Sequence, residues 1–222
     1  MISMINMINM INAANPARRA PTTHGLTLLE LMLALSITTI VAAAIAGMLS
    51  AVTVGVGTRR DARSVMIRAG AAQSRLSAYI IPCSSLLAND GSSLVVWLED
   101  SRASDTVHAT EIRWLSYNAA DGAIDVHFVD FPESWTPAAR DLADTQYTAD
   151  ADWNAVLWSY QVNGWISTLR LVDGLDSVAV TTDSTDILES RRVDYALGFQ
   201  TTRTPVPVRL SATIRAHERP AS

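Results

Sequence analysis

The chain has 222 residues and a formal net charge of −5, from 17 basic and 22 acidic side chains. This balance excludes the strongly basic surface that is typical of nucleic-acid-binding proteins. A single cysteine, Cys83, excludes an internal disulfide, and we predict that it is a small buried hydrophobic residue. The length allows one medium-sized domain with its own core together with one membrane element.

The first 25 residues have no helical or strand period. They contain a repeated Met-Ile-Asn triplet, two prolines and the pair Arg18-Arg19. Such a segment is typical of a leader and is set apart from the folded domain. We therefore assign residues 1–25 to a leader peptide, with Met10 as an alternative translation start.

Residues 26–57 form a long apolar run. Its one charged side chain is Glu30. A helix of about 20 residues crosses the roughly 30 Å hydrocarbon core of a bilayer, so this run is long enough to span one. We predict a hydrophobic transmembrane or assembly helix over residues 26–57. Glu30 then either reaches the membrane interface or is buried against a partner.

Residues 58–81 continue the helix in an amphipathic form. Their apolar residues recur at alternating spacings of four and three, with arginine and glutamine between them. This stripe predicts packing against a sheet or a partner helix, and Pro82 predicts the end of the helix. The stripe consists of Val65, Ala69, Ala72, Leu76 and Ile80.

The start of the apolar run matches a known processing motif. The string GLTLLEL, residues 25–31, closely resembles the cleavage and methylation motif of type IV prepilin-like proteins. The resemblance implies that a prepilin peptidase cuts between Gly25 and Leu26 and that Leu26 is then N-methylated. It also implies that Glu30, the fifth residue of the mature chain, pairs with an N-terminal ammonium group, usually of a neighbouring subunit. A buried pair of this kind fixes the axial register in assembly.

Alternative interpretations of this segment stay open. Leu26 stands where phenylalanine is commoner in the family, and His24 where lysine or arginine is more usual. A secretory signal peptide cut after Ala44 is disfavoured by the acidic residue in its apolar region. A plain membrane anchor is a third interpretation. The arginines after the run outnumber those before it, which favours a cytoplasmic C-terminal domain, whereas the cleavage motif dictates the opposite orientation.

From Ser84 onward the pattern changes to short β-rich runs separated by polar turns, which predicts a β-rich globular domain over residues 84–222. The turn at residues 120–122 (ADG) predicts a hairpin. With the long helix, this pattern predicts an α+β fold in which an antiparallel sheet packs on the amphipathic half of the helix. The predicted strands are Leu94–Glu99, Thr110–Tyr117, Ile124–Val129, Ala155–Gln161, Trp165–Val172, Ser177–Thr181, Val193–Gln200 and Val206–Arg215.

This layout is similar to that of the J-type minor pseudopilins of type II secretion systems. The resemblance rests on the long helix, on residues 171–178 (LVDGLDSV) and on a final amphipathic strand that begins near Pro205. It implies a pilin-like fold. In the final strand, alternation predicts that Val206, Val208, Leu210, Ala212 and Ile214 share one face.

The sequence predicts no enzyme, no cofactor and no metal site. The four histidines are scattered, and neither cysteine nor carboxylate accompanies them at ligand spacing. The acidic stretch from Asp141 to Asp152 is interpreted as a solvated loop rather than a calcium site. The six tryptophans are interpreted as core and rim packing rather than as a partner surface.

Together these features predict a non-enzymatic minor pilin or pseudopilin, a structural subunit of a type II secretion pseudopilus or a type IV pilus-like filament. The expected partners are other pilins or pseudopilins, the prepilin peptidase and the inner-membrane assembly platform, with no nucleic acid. The expected location is the bacterial inner membrane, as a single-pass protein with a periplasmic C-terminal domain that is assembled into a periplasmic or surface filament. The alternative is a membrane-anchored binding module that displays a Trp-containing β domain to a substrate, a surface or DNA.

Overall fold

The computed structural model describes residues 27–98, 106–202 and 204–220, with the backbone alone for residues 54–60. It has an α+β fold with an apolar N-terminal helix and antiparallel strands. By compactness the chain divides into two units, Met1–Val54 and Gly55–Ser222, and helix α1 (Leu28–Ile80) contributes residues to both. The helix ends two residues before Pro82, which confirms the predicted end.

The remaining elements all belong to the second unit. Two short helices are α2 (Pro137–Ala143) and α3 (Trp153–Val162). The strands are β1 (Ser85–Asn89), β2 (Ser93–Trp97), β3 (Val107–His108), β4 (Ile112–Asn118), β5 (Ala123–Val129), β6 (Gln146–Tyr147), β7 (Ile166–Val172), β8 (Leu175–Thr182), β9 (Arg192–Phe199) and β10 (Val206–Thr213).

The predicted apolar stripe of α1 is buried in the second unit. Its five members, from Val65 to Ile80, are at most 8% exposed, while Met66 and Ile67 on the same helix are 75% and 64% exposed. A fully buried Leu or Ile side chain stabilises a fold by about 1.5–3 kcal/mol relative to exposure. The stripe therefore holds the helix against the β-rich part of this unit, as predicted.

The strands form two main antiparallel sheets and one short ladder. The five-stranded sheet has the order β1-β2-β4-β5-β7, the three-stranded sheet has the order β10-β9-β8, and β3 pairs with β6. The hairpin predicted at residues 120–122 joins β4 to β5, and Gly122 there has a φ of +60° that favours glycine. The predicted antiparallel β-rich region is therefore confirmed, and its described strands divide into two main sheets, which the sequence did not predict.

Successive side chains of a strand point to opposite faces of the sheet, and apolar side chains on the two faces of the five-stranded sheet form two separate cores. The first core combines the α1 stripe with one face of the five-stranded sheet and with the inner face of the three-stranded sheet, where Tyr195 and Phe199 are buried. The second core lies on the other face of the five-stranded sheet. There Trp97 and Trp114 pack against Trp153 and Tyr160 of α3. The segment of residues 130–165 thus covers a face that would otherwise be exposed.

One predicted strand is wrong, and four of the elements that the structure describes were not predicted. Residues 155–161 were predicted as a strand, but they lie in helix α3, whose buried residues Trp153, Val156 and Tyr160 follow helical spacing. Asp152 caps this helix by accepting hydrogen bonds from the backbone N–H groups of Asn154 and Ala155, both at 3.1 Å. Strand β1 and helix α2 were also missed, as was the β3–β6 ladder. The other predicted strands agree with observed ones to within a few residues, although Glu99 lies outside the described residues.

Candidate functional site

The first turn of α1 carries Glu30, the residue to which the sequence assigned a role in assembly. Its carboxylate oxygen Oε2 accepts hydrogen bonds from the backbone N–H of Thr27 at 2.9 Å and from the Thr27 hydroxyl at 3.1 Å. The backbone N–H of Glu30 in turn donates to the Thr27 hydroxyl at 3.3 Å. This reciprocal pair is a capping box, which satisfies backbone donors that a helix N-terminus leaves free. Gly25 and Leu26, the predicted cleavage pair, lie outside the described residues.

The capping role of Glu30 was missed in the sequence, although the signal was present. A threonine followed three residues later by glutamate, immediately before an apolar run, is the usual signature of a capping box. Thr27 and Glu30 have this spacing. Glu30 is exposed, so its carboxylate is open to a partner as well as to Thr27. The two roles are compatible because a carboxylate has more acceptor sites than the two bonds to Thr27 occupy.

The segment Leu28–Thr53 is long and apolar enough to cross a membrane, by length and composition, and none of its most apolar window is buried within the chain. Its hydroxyl groups are suited to an apolar surrounding, because several donate to backbone carbonyl groups three or four residues earlier. The helix continues without a break through Gly47, and a side chain at that position would meet no atom within 4 Å. The hydroxyl donors are Ser36 (to Met32 O, 2.8 Å), Thr38 (to Ala34 O, 2.9 Å), Thr39 (to Ser36 O, 2.8 Å) and Thr53 (to Leu49 O, 2.8 Å).

The segment of residues 171–178, which the sequence singled out, joins the two sheets and meets helix α1 within the second unit. Arg68 donates to the carbonyl oxygen of Gly174 at 3.3 Å and to that of Gln200 at 2.7 Å, and Arg75 donates to the carbonyl oxygen of Leu171 at 2.6 Å. Gly174 has a φ of +66°, and a side chain there would collide with the Arg68 guanidinium. These arginines therefore fix the turn between β7 and β8 to the helix.

The histidines that the structure describes are each hydrogen-bonded. The ring of His127, on β5, contacts both neighbouring strands. Its Nε2 is 3.0 Å from the Ser116 hydroxyl on β4, and its Nδ1 is 2.8 Å from the Thr168 hydroxyl on β7. Burial lowers the pKa of His127 below its ordinary value, and the nearby Asp125 carboxylate opposes this effect. The same carboxylate accepts from Arg170 Nε at 3.0 Å.

A serine in contact with a histidine is one part of a nucleophilic site. Here the third group beside His127 is the Thr168 hydroxyl, which lacks the charge that stabilises an imidazolium in hydrolase triads. His108 and His217 contact backbone carbonyl oxygens, at 3.3 Å from Asp144 and 2.7 Å from Leu188 respectively. His24 lies outside the described residues. Within residues 27–98, 106–202 and 204–220, no three His, Cys, Asp or Glu side chains come together in a way that could hold a metal ion.

Most of the tryptophans contribute to packing, as the sequence predicted. Trp97, Trp114 and Trp153 are at most 4% exposed. The indole N–H of Trp97 donates to Glu111 at 3.0 Å, and that of Trp114 donates to the carbonyl oxygen of Trp153 at 3.0 Å. Trp158 is different, because 66% of its surface is exposed on the outer side of α3.

No family model, curated protein or solved structure matched the chain in comparison with known proteins. Over the residues that it describes, the structure by itself defines an α+β protein with one N-terminal helix that is long and apolar enough to span a membrane, and with a compact unit of antiparallel strands.

Proposed function

We propose that the chain is a non-enzymatic minor pilin or pseudopilin, a structural subunit of a type II secretion pseudopilus or a type IV pilus-like filament. The observation that carries this proposal is the alignment of three features: Gly25, Glu30 five residues later, and an apolar helix that runs on from Glu30. Each feature alone is common. Together, at these relative positions, they resemble the processing motif of prepilins.

In this proposal the leader of residues 1–25 is removed by a prepilin peptidase and Leu26 becomes the methylated N-terminus. The apolar helix then holds the subunit in the inner membrane until the assembly platform transfers it into a filament of pilins or pseudopilins. Glu30 sets its register, because a carboxylate in an apolar surrounding is stabilised by a neighbouring ammonium group in one alignment only. The β-rich unit remains periplasmic and is displayed on the filament.

The arginines that follow the apolar run bear on the orientation of the chain. Arg63, Arg68 and Arg75 belong to the second unit, and two of them, Arg68 and Arg75, donate to backbone carbonyl groups of the β-rich part. These two side chains therefore have a structural reason to be there that is independent of membrane topology. Their presence is therefore compatible with a periplasmic location of the second unit.

Photo-crosslinking from the apolar helix tests the assembly role. A photoreactive residue at Ile37, which is 53% exposed, is expected to link the chain to other prepilin-type proteins in cells that express them. The same substitution at Arg191, exposed in the β unit, is the matched control for nonspecific capture. Crosslinks from Ile37 to lipid alone, in cells that assemble the filament, would contradict the role.

A membrane-anchored binding module is the second candidate, and the exposed Trp158 is the observation that favours it. In that case the helix serves as an anchor only, and the β unit recognises a substrate, a surface or DNA. Glu30→Ala would then leave function intact, whereas Trp158→Ala would abolish it. The assembly proposal expects loss of function from the change at Glu30.

A further inference from the structure

The outer face of the three-stranded sheet is not covered by any residue that the structure describes, and it carries a shallow groove of about 410 Å³. Its floor is made of small side chains, since Ala179 of β8 and Ala196 of β9 are direct neighbours across the ladder. Arg209 of β10 stands opposite Ala196, and Arg192 and Asp194 lie further along β9. We call this surface the arginine groove.

The arginine groove carries a net positive charge. Arg192 forms an ion pair with Asp194 at 2.8 Å. A hydrogen bond from Ser211 and then the contact with Arg192 lower the pKa of Asp194, so this residue is ionised at neutral pH. Arg209 is exposed and forms no ion pair with any residue that the structure describes. Two guanidinium groups and one carboxylate therefore leave one positive charge in the groove.

The second unit also exposes an apolar ridge, which lies on the outer side of α3. Ala155, Trp158 and Val162 follow each other at spacings of three and four, so they share one helix face. Trp158 and Val162 are 66% and 64% exposed, whereas Trp153 and Tyr160 on the opposite face are buried. We call this surface the α3 ridge.

The segment that precedes the α3 ridge is negatively charged. Residues 130–152, which precede α3, contain six acidic residues and one arginine, a net charge of 1 − 6 = −5. Most of the acidic side chains in this segment are exposed, including Glu133 and Asp150. The arginine groove and the α3 ridge are therefore opposite in charge. They also lie on different sheets, because the segment that carries the ridge covers the outer face of the five-stranded sheet.

We propose that the α3 ridge of one copy of the chain docks in the arginine groove of a second copy. The small floor of Ala179 and Ala196 lets the Trp158 ring approach the sheet closely, and the guanidinium of Arg209 can lie over that ring. The acidic residues before α3 complement the positive charge of the groove. Because the two surfaces are different, the contact is head-to-tail and can repeat from copy to copy.

This contact goes beyond the proposed function, since it concerns the β unit alone and requires neither cleavage nor Glu30. Surface charge pairs are individually weak, so the contact is expected to form where copies are confined together rather than in dilute solution. Confinement in one membrane provides such a local concentration. The test therefore uses the full chain in membranes.

Disulfide crosslinking between two differently tagged copies tests the contact. One copy carries Ala155→Cys on the α3 ridge and the other carries Ala196→Cys on the floor of the groove. The native Cys83 does not interfere, because it is buried. Mild oxidation of membranes that contain both copies is expected to give mixed dimers, and their yield is expected to fall in 1 M salt, where the screening length is about 3 Å.

Four substitutions give the result that decides the proposal. Trp158→Ala and Arg209→Glu are each expected to lower the mixed-dimer yield about tenfold, the effect of losing one interface anchor. Leu142→Ala and Arg215→Glu, matched exposed changes outside the two surfaces, are expected to leave it unchanged.

Several results would overturn the proposal. One is equal crosslinking in the Trp158→Ala and Arg209→Glu variants. Another is the formation of 155–155 or 196–196 dimers in place of mixed ones, and a third is capture of a different protein by either cysteine. None of these outcomes would affect the assembly proposal, which is tested at Leu26 and Glu30.

Discussion

The carboxylate of Glu30 caps helix α1 and, in the proposed function, sets the register of the subunit in assembly. Substitutions at this residue separate the two roles. As a capping residue it accepts from Thr27, which a neutral amide oxygen can also do. As a register residue it must carry negative charge, because its proposed partner is an ammonium group.

Glu30→Gln is therefore expected to keep the start of α1 but to impair assembly as strongly as Glu30→Ala. Leader cleavage, measured by the size of the chain, and secretion or filament formation are the two measurements. Thr27→Ser, which keeps the capping hydroxyl, is the matched control and should preserve assembly. Normal assembly with Glu30→Gln, combined with loss in Glu30→Ala, would reduce Glu30 to a capping residue.

Cys83 provides a probe of the core because burial raises the pKa of its thiol to about 12. The thiolate is the reactive form, so the raised pKa leaves very little reactive Cys83 in the folded chain at pH 8. Alkylation of Cys83 at pH 8 is expected to be slow in native protein and fast in denaturant. An unfolded thiol ionises at lower pH than the folded one, so the folded state should also lose stability as pH rises above about 9. Equal labelling rates in native and denatured protein would contradict the burial of Cys83.

At the scale of elements, the apolar stripe of α1 was predictable because only one face of the helix is buried. The apolar residues therefore recur along the sequence at the helical spacing of three and four. The same holds for β10, whose alternate residues Val208, Leu210 and Ala212 pack in or against the first core as predicted, as does Ile214 just after the strand. In both elements one face is apolar and packs on the core while the other is mostly polar. The spacing of apolar residues along the sequence indicates such a face, whether the spacing is that of a helix or that of a strand.

Helix α3 escaped prediction because its residues favour a strand locally. Residues 155–161 (AVLWSYQ) combine a β-branched residue with aromatic ones. Burial of Trp153, Val156 and Tyr160 against the five-stranded sheet stabilises the helix instead. The sequence did contain helix signals, namely Asp152 as a capping residue and the helical spacing of Trp153, Val156 and Tyr160 after it. Strand β1 was missed because it is short and depends on its pairing with β2 across the turn at Gly91.

Leu76 tests the contribution of the α1 stripe. Because Leu76 is 2% exposed, Leu76→Ala is expected to lower the free energy of unfolding by about 2–5 kcal/mol. Ile67→Ala, on the exposed face of the same helix, should change it by about 0.5 kcal/mol or less. The rate of Cys83 alkylation across a denaturant series measures both. Similar costs for the two variants would mean that the stripe does not face a core.

Gly174 tests the junction between β7, β8 and α1. Gly174→Ala places a side chain at a positive φ and displaces the end of the Arg68 side chain from its hydrogen bond to Gly174, so its cost is expected to exceed about 1 kcal/mol. Gly164→Ala is the matched control, because Gly164 has a φ of +72° but no atom within 4 Å of a new side chain. The difference in unfolding free energy between the two variants measures the Arg68 contact. An equal cost would show that backbone strain alone accounts for Gly174.

At the scale of the whole molecule, the α+β class and the apolar N-terminal helix were predictable, whereas the division into two sheets was not. The sequence marks strands through alternation, but the order of strands depends on contacts between distant residues. The junction at residues 171–178 illustrates this point, since its role became visible only through hydrogen bonds from Arg68 and Arg75. The candidate assembly residue Glu30 was predicted from a motif, its contact with Thr27 could have been predicted from the capping-box spacing, and the exposure of Trp158 required the structure.

The central claim is that the mature chain begins at Leu26, because the helix and Glu30 acquire their proposed roles only from that start. Mass spectrometry of the N-terminus, in cells with and without the prepilin peptidase, tests it directly. The account predicts N-methyl-leucine at Leu26 when the peptidase is present and an intact leader when it is absent. A mature terminus at Ile45, or a leader retained in both cells, would contradict it.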